Sequence, residues 1–546
     1  MPAATAFRRP PLVDPAYVSL SDAAVHAAGP LQTLVERALG AAQGARLTPL
    51  DQALATRLGG YTQAPPMPDL AAAARAALPP GEWLSLVRAG EMIAVMTRDK
   101  QAMMDVLRSM RAFWQRLPSL SEEMLFSCGA EALRLAVELY RRTGQPFLLG
   151  LLEGLRAGLP DVSGVMHVFP FQNEYRAEDA DENGEFASRM RRFATGRLMA
   201  DAVAMTALLS QFSGSGRDAS AARVGLAALT RYHGLPGGAF SADPYLAGRD
   251  PSRAVELPAL CAQIEACRDA LLCDGGEDFA ARLEMLLLNG LSDLLVADGA
   301  RSLMPVNRLP GDESCAAAPL EGEDLTCVLR ALLALRQSQW LMRDEATLAY
   351  ALHLPGGCLV RLGGVPARFH ARVDGLFERT IRIGVETARP AQGSLLVRVP
   401  AYAAAAEVSL NGQTPKPAKP GEMLRITRAF ENGDEIALRL TLQPRLETGY
   451  RSSASVYVGP VLMALPLPGE DAAWRYALHP AAALSPGGED GPRVLAAACE
   501  VAQWRAKNGF IMPPPQDVPQ GPAYELTLLP LAGTDGRVAA FPRVRA

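Results

Sequence analysis

The sequence has little net charge: 54 Lys and Arg stand against 58 Asp and Glu over 546 residues, a formal charge of −4, with no long block of one sign. A nucleic-acid partner is therefore not expected, because phosphate binding requires a basic patch or stripe. Long apolar runs are also missing. The first twenty residues, MPAATAFRRPPLVDPAYVSL, are broken by prolines and hold no signal-peptide core. No later segment reaches the roughly 18 uninterrupted apolar residues of a membrane span. A cytoplasmic location with no membrane partner is the expectation. Cysteine is sparse, and its eight residues (Cys128, Cys261, Cys267, Cys273, Cys315, Cys327, Cys358 and Cys499) include no CxxC pair. That spacing argues against a structural zinc site and for reduced, buried small hydrophobes.

What is present is apolar bulk. Hydrophobic residues make up 49% of the chain, enough for a large core, and the length calls for at least two domains. From about Asp22 to Met342 apolar residues recur at helical spacing, as in WLSLVRAGEMIAVM (83–96), AEALRLAVELYRRTG (130–144) and DFAARLEMLLLNGLSDLL (278–295). Thr143-Gly144, Gly214-Ser215-Gly216 and Asp274-Gly275-Gly276 supply the glycines that close helices in the left-handed conformation. After about Thr347 the period changes to two, in runs such as CLVRLGG, RTIRIGVE, SLLVRVP and EIALRLTL, with turn signals at Asn411-Gly412 and Asn432-Gly433-Asp434. The pattern predicts an α+β multidomain chain: a 1–20 extension, a helical region over 21–345 and an antiparallel β-sandwich region over 346–546. A Pro- and Gly-rich stretch over 466–492 reads as a surface excursion, before a last strand in 524–533.

The segment YHGLPGGAFSADPYLAGRDPSRAVELPALCAQIEAC (232–267) resembles the signature stretch of glycoside hydrolase family 127, the β-L-arabinofuranosidases. Gly238, Phe240, Ser241, Asp243, Leu246, Ala247, Gly248, Glu256 and Leu257 stand in that pattern. Arg282, Glu284, Asn289 and Gly290, then Pro400, Asn411, Gly412 and Gly459-Pro460 continue the likeness in order. The resemblance implies an (α/α)6 helical toroid barrel followed by one or two β-sandwich modules. It also implies a cysteine thiolate nucleophile held on zinc by further cysteines and a glutamate, with a second glutamate as acid/base. Zinc would deprotonate a thiol, and a carboxylic acid would protonate the departing oxygen.

Several of those positions are changed here. Glu256 matches the zinc-ligand glutamate, but Pro258 replaces the cysteine two residues on, and Pro244 falls on the acid/base glutamate, leaving Asp243 as the nearest carboxylate. Glu323 and Asp324 fall on the family's cysteine pair, with Cys261, Cys315 and Cys327 nearby. Paired carboxylates offer another route to glycoside hydrolysis, so Glu256 and Asp243 are the candidate catalytic residues. The plainer alternative makes Glu256 a helix cap, Asp243 a turn cap and Glu323-Asp324 a solvated first turn. Tyr232, His233, Arg249, Glu323 and Asp324 are the candidate substrate contacts, with Arg249 and Arg253 suited to a carboxylate or phosphate on a ligand. Trp83 and Trp114 suit either sugar stacking or the core.

Three functions compete: a glycoside hydrolase-like enzyme on a furanoside or oligosaccharide, a silent carbohydrate-binding or scaffolding homologue, and a sugar lyase or epimerase using Tyr232-His233 as base. The expected partners are a carbohydrate ligand and, where the chain self-associates, a second copy in a homodimer. No cofactor is expected. With Pro258 and Glu323-Asp324 in place of thiolates, elemental analysis of the purified protein should find no stoichiometric zinc. One zinc per chain, lost when Cys315 or Cys327 is changed to serine, would overturn that reading.

Overall fold

The computed structural model describes residues 8–76, 78–175, 193–467, 475–479, 484–487, 493–502, 504, 514–516 and 518–544. Among the described residues, thirteen α-helices of six residues or more precede the main β region: α1 (Gly29–Gly44), α2 (Pro49–Leu58), α3 (Leu70–Arg75), α4 (Pro80–Thr97), α5 (Lys100–Arg116), α6 (Glu122–Thr143), α7 (Phe147–Gly158), α8 (Val162–Val168), α9 (Gly196–Ser213), α10 (Gly216–His233), α11 (Leu257–Asp274), α12 (Glu277–Met285) and α13 (Gly322–Gln339). Helices α2, α4, α6, α9, α11 and α13 each pack on the next, and α13 closes on α2. Each is reached from an outer helix, so all six inner helices run in one direction. This is the expected (α/α)6 toroid.

Local sequence explains the elements. Ser121 and Thr195 cap α6 and α9 by accepting from Met124 and Leu198, while Gly144, Gly214 and Gly275 end α6, α9 and α11 at positive φ. Outer helix α5 buries one stripe, Ala102, Val106, Met110 and Phe113, whereas inner helix α9 buries nearly every residue from Met199 to Gln211. Trp83 is a core residue: its Nε1 donates to Ser109 Oγ at 2.8 Å and its ring meets Phe113 edge-on. Trp114 packs against Phe147, so neither tryptophan presents a sugar platform.

The β region holds two modules. A five-stranded sheet (Val18–Ser19, Trp340–Asp344, Thr347–Tyr350, Ala391–Val399, Glu422–Phe430) and a seven-stranded sheet that includes Val25–Ala27 share one core. An eight-stranded sheet follows from Pro444. Two differences from the expected layout appear. The strands Val18–Ser19 and Val25–Ala27 pair with Trp340–Asp344 and Gly356–Leu362, so part of the N-terminal stretch is built into the β module. The pairing of Thr347–Tyr350 with Ala391–Val399 is parallel, because the strands between them lie in the facing sheet. Within 466–492, Tyr476–Leu478 and Leu484–Gly487 pair with Arg493–Glu500, so this part is sheet; 468–474, 480–483 and 488–492 lie outside the described residues. No described helix is long and apolar enough to cross a membrane.

Two buried charge clusters lock barrel to β modules. Arg398, fully buried, pairs with Glu277 at 3.0 Å and with Glu284, which Tyr402 also reaches at 3.0 Å. Burial opposes ionisation of Glu284, but Arg398 outweighs it and holds the carboxyl down to about 2. Asp293 accepts from Arg537 at 2.5 and 2.8 Å and from Arg308 at 3.3 and 3.4 Å, all three side chains at most 1% exposed. Asp293→Asn removes the only carboxylate among the described residues within salt-bridge distance of Arg537, and the main counter-charge of Arg308. We expect a loss of about 3–5 kcal/mol in the first denaturation transition of the full chain. A loss below about 1 kcal/mol would show that the cluster does not hold the modules together.

Candidate functional site

The loop between α10 and α11 is pinned by its own polar residues. His233, the last residue of α10, donates from Nε2 to the Phe171 carbonyl at 2.6 Å and accepts at Nδ1 from the Gly248 amide at 3.0 Å. It is fully buried, and that burial pulls its pKa down. The expected exposed sugar contact is therefore corrected: His233 ties two backbone segments together. Tyr232 stacks on Phe169 at 5.9 Å and 8° between planes. Ser241 and Gln263 bridge further loop backbone. Arg249 is half-buried, forms no ion pair among the described residues, and its Nε lacks an acceptor.

Asp243 is committed as well. Arg253 donates to both its oxygens at 2.9 and 2.8 Å, and the Ala254 amide adds a longer bond. Held in such a fork, the carboxylate has its acceptor sites occupied by Arg253. Glu323 is exposed and paired with Arg197, as the solvated-turn alternative has it. Glu256 and Asp324 differ. Glu256 stands at the N-cap of α11 without capping it, and Asp324 lies in the first turn of α13, packed beside α11. Both are half-buried with carboxylates that accept no hydrogen bond among the described residues. Burial raises the Glu256 pKa, followed by the charges of Asp243 and Asp324; burial and then Glu323 raise that of Asp324. Asp243 and Asp324 are thus close enough to Glu256 to influence it electrostatically, at the N-terminal ends of inner helices α11 and α13.

One turn deeper lie Cys261 and Cys327. Burial pushes the Cys327 thiol up to about 12 and Cys261 well above its ordinary value, so both stay protonated near neutrality. The zinc–thiolate centre implied by the family resemblance does not fit these residues. Pro258 has no donor atom, and no three His, Cys, Asp or Glu among the described residues are gathered closely enough to hold an ion.

Asp201 on α9 is the residue that sequence reasoning missed. Burial raises its pKa to about 6 against the pull of Arg134 and Arg197. The signal was available: Arg197 and Asp201, four apart, are the only charged residues in GRLMADAVAMTALLSQFS. A cavity of about 1800 Å³ is lined by residues such as Leu58, Met96, Gln211 and Cys273, at the opposite, C-terminal ends of the inner helices. Glu256, Asp243 and His233 are not among the residues that line this large cavity.

Comparison with known proteins agrees with this architecture. Residues 347–442 match the family described as β-L-arabinofuranosidase, GH127 middle domain. A solved glycoside hydrolase superposes with a TM-score of 0.71 at 13% identity, covering 97% of this chain and 98% of its own. The GH127 β-L-arabinofuranosidase of Geobacillus stearothermophilus T6 gives 0.55 at 14% identity, covering 97% of this chain and all of its own. A further GH127 β-arabinofuranosidase gives 0.56 at 13% identity, covering 97% and 98%. At these identities the likeness is one of fold. No curated protein matches the chain in sequence.

Asp201 generates a stability prediction. Its pKa rises on folding from an ordinary 3.8 to about 6, so the native state holds the proton more tightly than the unfolded chain. The stability this contributes is complete below about pH 4 and is lost as pH rises through about 6. Asp201→Asn should therefore be more stable than wild type at pH 8, by on the order of 2 kcal/mol, with the difference shrinking at pH 4.5. Denaturant titrations at the two pH values check this, and a pH-independent difference would contradict it.

Proposed function

We propose that this chain, which carries the GH127 middle domain within the full-length fold of that family's solved enzymes, is a glycoside hydrolase-like protein. It takes a furanoside or related oligosaccharide at the N-terminal mouth of its barrel. The observation that carries this reading is the pair of half-buried, unpartnered carboxylates Glu256 and Asp324 on adjacent inner helices. Cleavage of a glycosidic bond needs a proton donor and an ionised carboxylate on either side of the anomeric carbon. In this reading Glu256 protonates the departing oxygen and Asp324 stabilises or attacks the sugar. The Asp243–Arg253 fork keeps the loop in shape. Cys261 and Cys327, protonated and buried, take no nucleophilic part.

A second reading has its own support. Pro244 and Pro258 stand where the resemblance implies an acid/base glutamate and a metal-binding cysteine, and a chain that has lost both functions as a silent carbohydrate-binding homologue. One experiment separates the two. Aryl β-L-arabinofuranoside is assayed first, within a panel of aryl furanosides and pyranosides. Glu256→Gln and Asp324→Asn should each lower kcat by on the order of a hundredfold or more while oligosaccharide binding survives. No turnover by wild type, with binding weakened in both variants, selects the silent homologue. Turnover unchanged in both variants sinks the carboxylate assignment.

A further inference from the structure

Inner helix α9 is buried from Met199 to Gln211 with one exception, Asp201. Its carboxyl group has no hydrogen-bond or ion-pair partner among the described residues, and both oxygens keep some access to solvent. Three guanidiniums stand near it, and each is committed elsewhere. Arg197, one turn toward the mouth on the same helix, pairs with Glu323 of α13. Arg134 on α6 holds Asp269 and Glu131, and Arg330 on α13 holds Glu265 and Glu131. The charges that Asp201 feels thus come from α6, α11 and α13 as well as its own helix, so it faces the lumen. It does not line the cavity of about 1800 Å³, and its open side is the one toward Glu256. Depth follows from the helices. A Cβ on Gly196 would lie 3.7 Å from that of Ala259, so these two residues are level. Asp201 comes five residues after the one and Glu256 three before the other, a separation of about 12 Å along the axis at about 1.5 Å per residue. Two O–H···O bonds of about 2.7 Å each occupy nearly half of that span, and the remainder accommodates one sugar ring.

We infer, resting on the mouth as the carbohydrate site, that Asp201 forms its floor and holds a hydroxyl on the far side of the ring whose glycosidic oxygen faces Glu256. A carboxyl group suits this task in either protonation state: ionised, it accepts from a hydroxyl, and protonated, it also donates to one. A carboxyl withdrawn from water without a partner is costly to keep in a folded chain, and a ligand hydroxyl supplies the missing bond. Burial already raises the Asp201 pKa to about 6 against Arg134 and Arg197, and acids perturbed in this way inside a cleft are characteristic of binding and catalytic sites. A site built to hydrogen-bond a hydroxyl rejects the analogue that lacks it, because its own polar group is then left unpaired. Asp201 is therefore a specificity-determining residue, and bond cleavage stays with Glu256 and Asp324.

The test is calorimetric titration of the full-length protein with methyl furanosides and methyl pyranosides, then with singly deoxygenated analogues of the glycoside that binds. For one hydroxyl, Asp201→Ala and deoxygenation should each weaken binding about tenfold or more, and the two losses should not add. Asp201→Ala should thus bind that deoxy sugar as tightly as the parent, while deoxygenation elsewhere weakens binding to variant and wild type alike. Asp201→Asn, which keeps the shape and a hydrogen-bonding group, should recover part of the affinity. The side chain has no partner to lose, so both variants should fold, and their denaturation midpoints check this. Wild-type affinity in Asp201→Ala, or additive losses at every hydroxyl, overturns the inference; a rate loss in Glu256→Gln would still leave the cleavage assignment standing. A non-additive cycle in a chain with no turnover upholds Asp201 and removes the hydrolase reading instead. Failure of the wild type to bind any of the methyl glycosides at millimolar concentration overturns both.

Discussion

Glu131 is the residue on which the barrel interior depends. Its carboxylate accepts from Arg88 on α4 at 2.6 Å and from Arg330 on α13 at 2.6 Å, with Arg134 on its own helix at 3.5 Å. Glu265 and Asp269 on α11 bind the far sides of Arg330 and Arg134. Four of the six inner helices are thereby joined through one set of charge-assisted hydrogen bonds. Burial opposes ionisation of Glu131, but the three guanidiniums outweigh it and hold the group well below the usual carboxylate range. Such a network is a weak source of net stability, because desolvation offsets most of the Coulombic gain. Its geometry is demanding, however, and only one relative placement of the helices satisfies every partner.

The same network divides the lumen. Above it stand Cys261, Cys327, Asp201, Glu256 and Asp324; below it lies the large arginine-lined chamber. Many of the residues that carry the family likeness belong to neither. Asn289 donates to the Gly237 and Pro460 carbonyls and accepts from the Leu462 amide, Arg282 reaches the Gly238 carbonyl, and Glu284 binds Arg398. Their work is to hold the signature loop between the barrel and the β modules. A shared signature of this kind reports how domains dock, and chemistry at the mouth is free to change around it.

Much of the architecture was legible because it rests on local rules. Gly144, Gly214 and Gly275 close helices as their positions suggest, and Asn411 takes the positive φ that its turn needs. The site was harder to read. His233 looked like an exposed loop residue because nothing nearby in sequence shows that Phe171 and Gly248 supply its partners. Asp243 looked free because Arg253, ten residues away, joins it only when the loop folds back. The joining of Arg88, Glu131 and Arg330 is not visible in sequence, since a charged stripe facing a polar lumen has the same period as one facing water. Glu256 and Asp324 lie 68 positions apart in sequence, and only the packing of α11 against α13 brings their charges within influence of each other.

The two short strands ahead of the barrel impose an order on biosynthesis. Val18–Ser19 and Val25–Ala27 leave the ribosome before the barrel helices, yet their partners Trp340–Asp344 and Gly356–Leu362 come only after the last inner helix. At roughly 5–20 residues per second of synthesis, the N-terminal segment waits on the order of tens of seconds with its edge groups unpaired. It also crosses the opening of the arginine-lined chamber, since Tyr17, Ser19 and Asp22 are among the residues that line it. The chamber is therefore finished late, when the first β module captures the strands that preceded the whole barrel.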